Sequence, residues 1–143
     1  MTEIEAPSPT PQELAQAHHT KSLTASPIYG FLLQNLTVLP STESGKSVSA
    51  LVLEPQHLNS KGSIHGSVSA TIVDWASGNA LATTGSHSGL SVDMSLSFMN
   101  TCKGGETMII KVSSDLCEGC VDLGELKHSD MKIRVSSTKR AAD

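Results

Sequence analysis

Hydrophobic positions change period along this chain, and the change divides it into elements. Between Gly62 and Thr84 the residues follow helical spacing. At 100° per residue, Val68, Ile72, Trp75 and Ala76 share one face, with Ser67, Ala70, Asp74, Ser77, Gly78 and Leu81 on the other. The run has no Lys, Arg or Glu, so neither face reads as solvated and both are expected to be covered by protein. Strand periodicity surrounds it. Leu36 to Leu39 and Ser47 to Leu53, separated by the turn formers Pro40, Ser44 and Gly45, predict a hairpin. Further on, Val92, Met94, Leu96 and Phe98 alternate with Asp93, Ser95 and Ser97, a half-buried strand whose polar members are expected to face away from the helix. Gly104-Gly105 predicts a turn, Met108 to Val112 a strand, Val121 to Leu126 a weaker one, and Met131, Ile133 and Val135 a last alternation. One helix among about five or six antiparallel strands is an α+β arrangement in which the sheet wraps the helix.

Upstream, Thr10-Pro11-Gln12-Glu13 is a capping box with proline at the first helical position, so a helix is expected from there to about Lys21. Ser26-Pro27 restarts a short helical turn, whose Ile28, Tyr29, Leu32 and Leu33 suit packing outside a sheet or over a pocket mouth. His18 and His19 are adjacent, point to different sides of the helix and read as surface histidines rather than a shared metal site.

Composition bounds the function. The 143 residues fit one domain, expected over 11–143 behind a disordered, acidic and proline-rich segment 1–10. With one Trp, one Tyr and two Phe the core is modest, and an oligomer would bury a further face. A net charge of −4 without a basic cluster argues against nucleic acid, and Lys132, Arg134, Lys139 and Arg140 are thinly spread. No apolar run is long enough for a bilayer, and the first ten residues lack the features of a secretory or mitochondrial signal, so no membrane association and a cytoplasmic location are expected. Cys117-Glu118-Gly119-Cys120 reads as a hairpin turn with free thiols, since Cys102 and His128 do not supply a second metal-binding pair; no metal is expected. There is no nucleophile elbow, phosphate-binding loop or dinucleotide fingerprint, and no cofactor is expected.

The chemistry lies in the helix and its entry. Asp74 is the one charge in a mostly buried run, and an isolated carboxylate is costly to bury. A structural carboxylate and a functional one both fit that position. Asn59, Gly62 and His65-Gly66 lead into the first turn, where unpaired N–H groups and the positive end of the helix dipole can hold an oxyanion. The pattern Asn59-x5-His65-Gly66-x7-Asp74, followed by Gly89-Leu90-Ser91-Val92-Asp93-Met94, resembles the hotdog-fold acyl-CoA thioesterases of the phenylacetyl-CoA thioesterase type, including the thioesterase superfamily member 2 group. The resemblance covers roughly Leu36 to Val112.

That resemblance implies a hotdog fold and hydrolysis of an acyl-CoA to free acid and CoA. The Gly66 N–H would polarise the thioester carbonyl, and Asp74 would act as general base or as nucleophile. Asn59 and Ser91 would orient the water or the carboxylate, while His65 would shape the helix start. Ser67 stands where the family usually has a second glycine, and it would border the acyl pocket. Because family sites draw the carboxylate and the oxyanion donor from different subunits, a homodimer or homotetramer is implied. The family's terminal Gly-x-His-Thr-Lys pattern survives here only as Ser137-Thr138-Lys139. Two other readings of the same fold are a non-hydrolytic acyl-thioester or polyketide-binding protein and a dehydratase or hydratase with His65 as base.

Overall fold

The computed structural model describes residues 6–86, 90–98 and 100–114, together with the backbone of 120–122 and 135–140. Helix α1 is Pro11–Ala25 and helix α2 is Pro27–Leu32. The expected capping box opens α1: Thr10 Oγ1 accepts from the Glu13 N–H at 3.3 Å, and the Glu13 carboxylate accepts from the Thr10 N–H at 2.8 Å. The helix runs past Lys21 because nothing in Ser22 to Ala25 breaks it; Pro27 opens α2 immediately after.

Strands β1 (Thr37–Leu39), β2 (Lys46–Val52), β3 (Leu90–Leu96), β4 (Thr107–Ser114), β5 (Cys120–Asp122) and β6 (Val135–Arg140) form one sheet in the order β1-β2-β4-β5-β6-β3, with every neighbouring pair antiparallel. Of the five or six strands expected, four, β1 to β4, have side chains among the described residues; β5 and β6 are described by backbone register. The Cys117-x-x-Cys120 turn, His128, the Met131 and Ile133 alternation, Lys132 and Arg134, Gly89, residues 1–5 and the terminal 141–143 lie outside the described residues. Side chains at 90, 92, 93, 120–122 and 135–140 do as well.

Helix α3, Gly66–Ala82, packs on the inner face of β2 and β4. That face alternates as the pattern requires: Ser47, Ser49 and Leu51 on β2 and Met108, Ile110 and Val112 on β4 are all buried, and Leu51 stands opposite Met108. From α3, Val68, Ile72, Val73, Trp75, Ala76 and Ala80 complete the core. Trp75 is 1% exposed. Burying an indole withdraws roughly 150–250 Å² from water, on the order of 4–6 kcal/mol at about 25 cal/mol per Å².

The other side of Trp75 is covered by α1, and this corrects the reading of His19 as a surface residue, while His18 is half-buried. His19 is 4% exposed and sets its ring edge-on to Trp75 with centroids 5.4 Å apart; the His18 ring is 6.2 Å away. Asn79 on α3 ties the helices together by donating to the Ala15 carbonyl at 2.9 Å. A pair of histidines looks solvent-facing in sequence, but the imidazole is small and flat enough to pack edge-on against an indole once one nitrogen is bonded. Burial lowers the His19 pKa, against a smaller upward pull from its bond to the Leu36 backbone.

That shift fixes a pH dependence. The unfolded chain binds a proton at His19 more readily than the native one does, so the native state is penalised as pH falls below the ordinary imidazole value of about 6.5. The urea midpoint should therefore drop between about pH 7 and pH 5, and drop less in His19→Gln. Equal slopes in parent and variant would show that His19 is not the group responsible.

Candidate active site

The end of one helix and the start of the next are fixed by a residue that sequence patterning passed over, His57. It is fully buried; its Nδ1 accepts from the Glu54 N–H at 2.8 Å, so the ring proton sits on Nε2 and is donated to the Leu32 carbonyl at 2.6 Å. Its own carbonyl accepts from the His65 N–H at 2.8 Å. His57, through its ring and its main-chain carbonyl, thus pins the end of α2 to the segment that launches α3.

Between His57 and α3 lies Asn59. Its Oδ1 accepts from the N–H groups of Lys61 at 2.9 Å and Ser63 at 3.2 Å, an Asx-type turn that Gly62 completes at φ 75°, where a side chain would be strained. The turn delivers His65 as the N-cap of α3. His65 Nδ1 accepts from the Ser67 N–H at 3.1 Å and from Ser67 Oγ at 2.7 Å, and the His65 carbonyl accepts from Val68 and Ser69. The first-turn donors are therefore satisfied with one exception: among the described residues the Gly66 N–H has no hydrogen-bond partner. Gly66 is exposed, and the Phe98 ring lies beside it, 3.7 Å from where a Cβ would stand. Ser67 turns its hydroxyl back onto His65.

Two turns along α3, half-buried Asp74 lines an open groove of about 460 Å³ with Ile28, Tyr29, Ala70, Thr71, Ser91 and Met94. The stripe Gly66, Ser67, Ala70, Thr71 and Asp74 is exposed or half-exposed in the single chain, not covered as the sequence pattern led one to expect. Ser91 Oγ donates to Asp74 Oδ1, and Tyr29 Oη donates to Oδ2 at 2.7 Å. Tyr29 is held neutral: burial first, then the bond to the carboxylate and its charge, push its pKa far above the usual phenol value.

Strict alternation along β3 would put Ser91 with Ser95 and Ser97, away from the helix. A register shift between Ser91 and Asp93 reverses the parity, so Ser91 reaches α3 on the side of Met94, which lines the groove, and Leu96, which packs on the core. This is a β-bulge re-aiming one side chain.

The expected site residues thus fall into two groups. Asn59, His65, Gly66 and Ser67 gather at the start of α3, and Asp74 and Ser91 meet further along. Eight residues at 1.5 Å rise separate Gly66 from Asp74 by about 12 Å along the axis. A single chain does not bring both to one carbonyl carbon. Tyr29 is the member of the second group that patterning missed, since it reads as one more apolar position in a cluster.

No protein-family model matches the chain. Human acyl-coenzyme A thioesterase 13 is 34% identical over 91 residues, 63% of this chain and 64% of that protein. The chain therefore spans just under two-thirds of the length of that relative. The crystal structure of zebrafish thioesterase superfamily member 2 superposes with a TM-score of 0.73 at 30% identity, over 92% of this chain and 98% of that one. The chain belongs to the hotdog-fold thioesterases of the PaaI type. The fold extends to the distant end of the family: the E. coli PaaI protein from the phenylacetic acid degradation operon gives a TM-score of 0.69 at 16% identity, covering 91% of this chain and 96% of that one. Family membership gives the α+β sheet and helices their name, and it gives the groove at Asp74 a chemistry to be tested.

Proposed function

We propose that this protein hydrolyses acyl-CoA thioesters to the free acid and CoA. The observation that carries the reading is the pair of groups on α3: an unpartnered N–H at Gly66 and a groove-lining carboxylate at Asp74. A thioester carbonyl is already electrophilic and its thiolate leaves readily, so the reaction needs an oxyanion donor and a base or carboxylate nucleophile, without a strong general acid. In the base form of the reaction, Asp74 takes a proton from water as the water oxygen attacks the carbonyl carbon. The Gly66 N–H holds the oxygen that becomes negative. Collapse expels the CoA thiolate, which takes up the proton that Asp74 had accepted and so returns the carboxylate to its ionised form. Asn59 has Oδ1 committed to its own turn, which leaves the amide Nδ2 for the water or carbonyl.

With about 12 Å between them along one helix, the two groups of one site are taken to come from two subunits of a homodimer or of a larger assembly of dimers. A symmetric pair of α3 helices running antiparallel brings Gly66 of one copy toward Asp74 of the other. The dehydratase reading is disfavoured by His65, whose Nδ1 lone pair is already engaged by two donors from Ser67.

The test is a spectrophotometric thiol-release assay with short-chain, medium-chain, long-chain and aryl acyl-CoA. Turnover with at least one class is expected, and none should be seen in hydration of an enoyl-CoA. Enoyl-CoA hydration without thiol release would replace this proposal with the dehydratase one.

A further inference from the structure

We infer that Tyr29 is a positioning residue for the Asp74 carboxylate, an assignment that rests on the hydrolytic reading above. The hydroxyl lies 2.7 Å from Oδ2 while Ser91 holds Oδ1, so each carboxylate oxygen accepts from a hydroxyl on a different element. A carboxylate on a helix turns freely about its last bond unless both oxygens are held. Here the two donors come from two different elements lining the groove, α2 and β3, and together they fix the plane of the group.

The location of Tyr29 gives this consequence. It is borne on a six-residue helix whose end is pinned through the Leu32 carbonyl by His57, the residue that also anchors the His65 N–H. The segment before the sheet is thereby part of the site and not only its cover. Other groove-lining side chains, Ile28, Ala70, Thr71 and Met94, carry no charge, so among the described residues lining it Asp74 is the one ionisable group facing the phenol besides the phenol itself. A hydroxyl donor to an ionised carboxylate favours the charged form and so makes it a weaker base. Loss of the Tyr29 donor is therefore expected to raise the pH at which Asp74 takes up a proton.

The sequence holds a single tyrosine, which makes the pairing directly observable. In the 143-residue chain labelled with ¹³Cζ-tyrosine, one resonance is expected, and in the parent it should move through the acid range as Asp74 takes up a proton. In Asp74→Asn that titration should vanish. In parallel, Tyr29→Phe keeps the ring and removes only the donor. It should lower kcat by on the order of tenfold or more, the scale of a lost hydrogen bond to a charged group, with KM nearly unchanged and the acid limb of the kcat profile moved to higher pH. A resonance that stays flat with pH in the parent, or a Tyr29→Phe enzyme with parental kcat and pH profile, overturns the assignment. If the parent hydrolyses no acyl-CoA, the hydrolytic reading fails on its own, and the resonance still decides whether the phenol serves the carboxylate.

Discussion

Asp74→Asn is expected to lower kcat for thioester hydrolysis by on the order of 10²–10⁴-fold, the usual contribution of a positioned general base, with the fold unchanged. The amide is nearly isosteric with the carboxylate, and the side chain is half-buried, so packing around α3 is preserved. Two of its partners are hydroxyls, from Tyr29 and Ser91. A hydroxyl can donate to the amide oxygen or accept from the amide nitrogen, so both bonds survive after one rotor turns. What is lost is the lone pair that accepts a proton or attacks carbon. Because that lone pair matters only as the transition state forms, the loss should appear in kcat and not in KM. The checks are the thiol-release rate, circular dichroism and the mass of the assembly in solution. Parental turnover in Asp74→Asn would remove the carboxylate from the reaction, whichever role it is given.

How much of this was legible in the sequence depended on how local the responsible interaction is. The capping box at Thr10 to Glu13 involves residues three apart, and its hydrogen bonds are those the sequence implies. The β1–β2 hairpin and the inner face of β4 follow from period-two patterning, because one face of each strand is buried. Asp74 stood out because an apolar helix has little reason to carry one charge. Longer-range features left no such mark. Tyr29 and Asp74 are 45 residues apart, and nothing in Pro27 to Leu33 distinguishes a phenol meant for a carboxylate from an aromatic meant for the core. The bulge between Ser91 and Asp93 is invisible to a strict alternation, which assigns Ser91 to the wrong face. His19 failed for the opposite reason: residue type suggested solvent, but contact with Trp75 decided otherwise. In each case tertiary packing chose between states that local pattern left equal.

Gly66→Pro and Asp74→Asn, each inactive alone, are expected to restore about a quarter of the parental activity when mixed and reassembled. Random mixing into twofold dimers makes half of them mixed, and each mixed dimer has one intact site of two. The argument depends on Gly66→Pro deleting an N–H without disturbing the helix, and local geometry favours this. Gly66 is the first residue of α3, where proline is tolerated because its missing donor has no partner within the helix. His65 before it has φ −73° and ψ 136°, within the extended region that a residue preceding proline adopts. An added Cβ would meet the Phe98 ring at 3.7 Å, an ordinary contact. The proline variant should therefore lose the oxyanion donor, at a cost on the order of 10²–10³ in kcat, and keep its assembly. In a mixed dimer the Asp74→Asn chain still supplies a Gly66 N–H, and the Gly66→Pro chain still supplies an Asp74 carboxylate. Both meet at one of the two grooves. A mixture no more active than the sum of its two parts, with mixed dimers demonstrated by mass, would mean that donor and carboxylate do not come from different chains, and the 12 Å along α3 would then have to be bridged by some other donor close to Asp74.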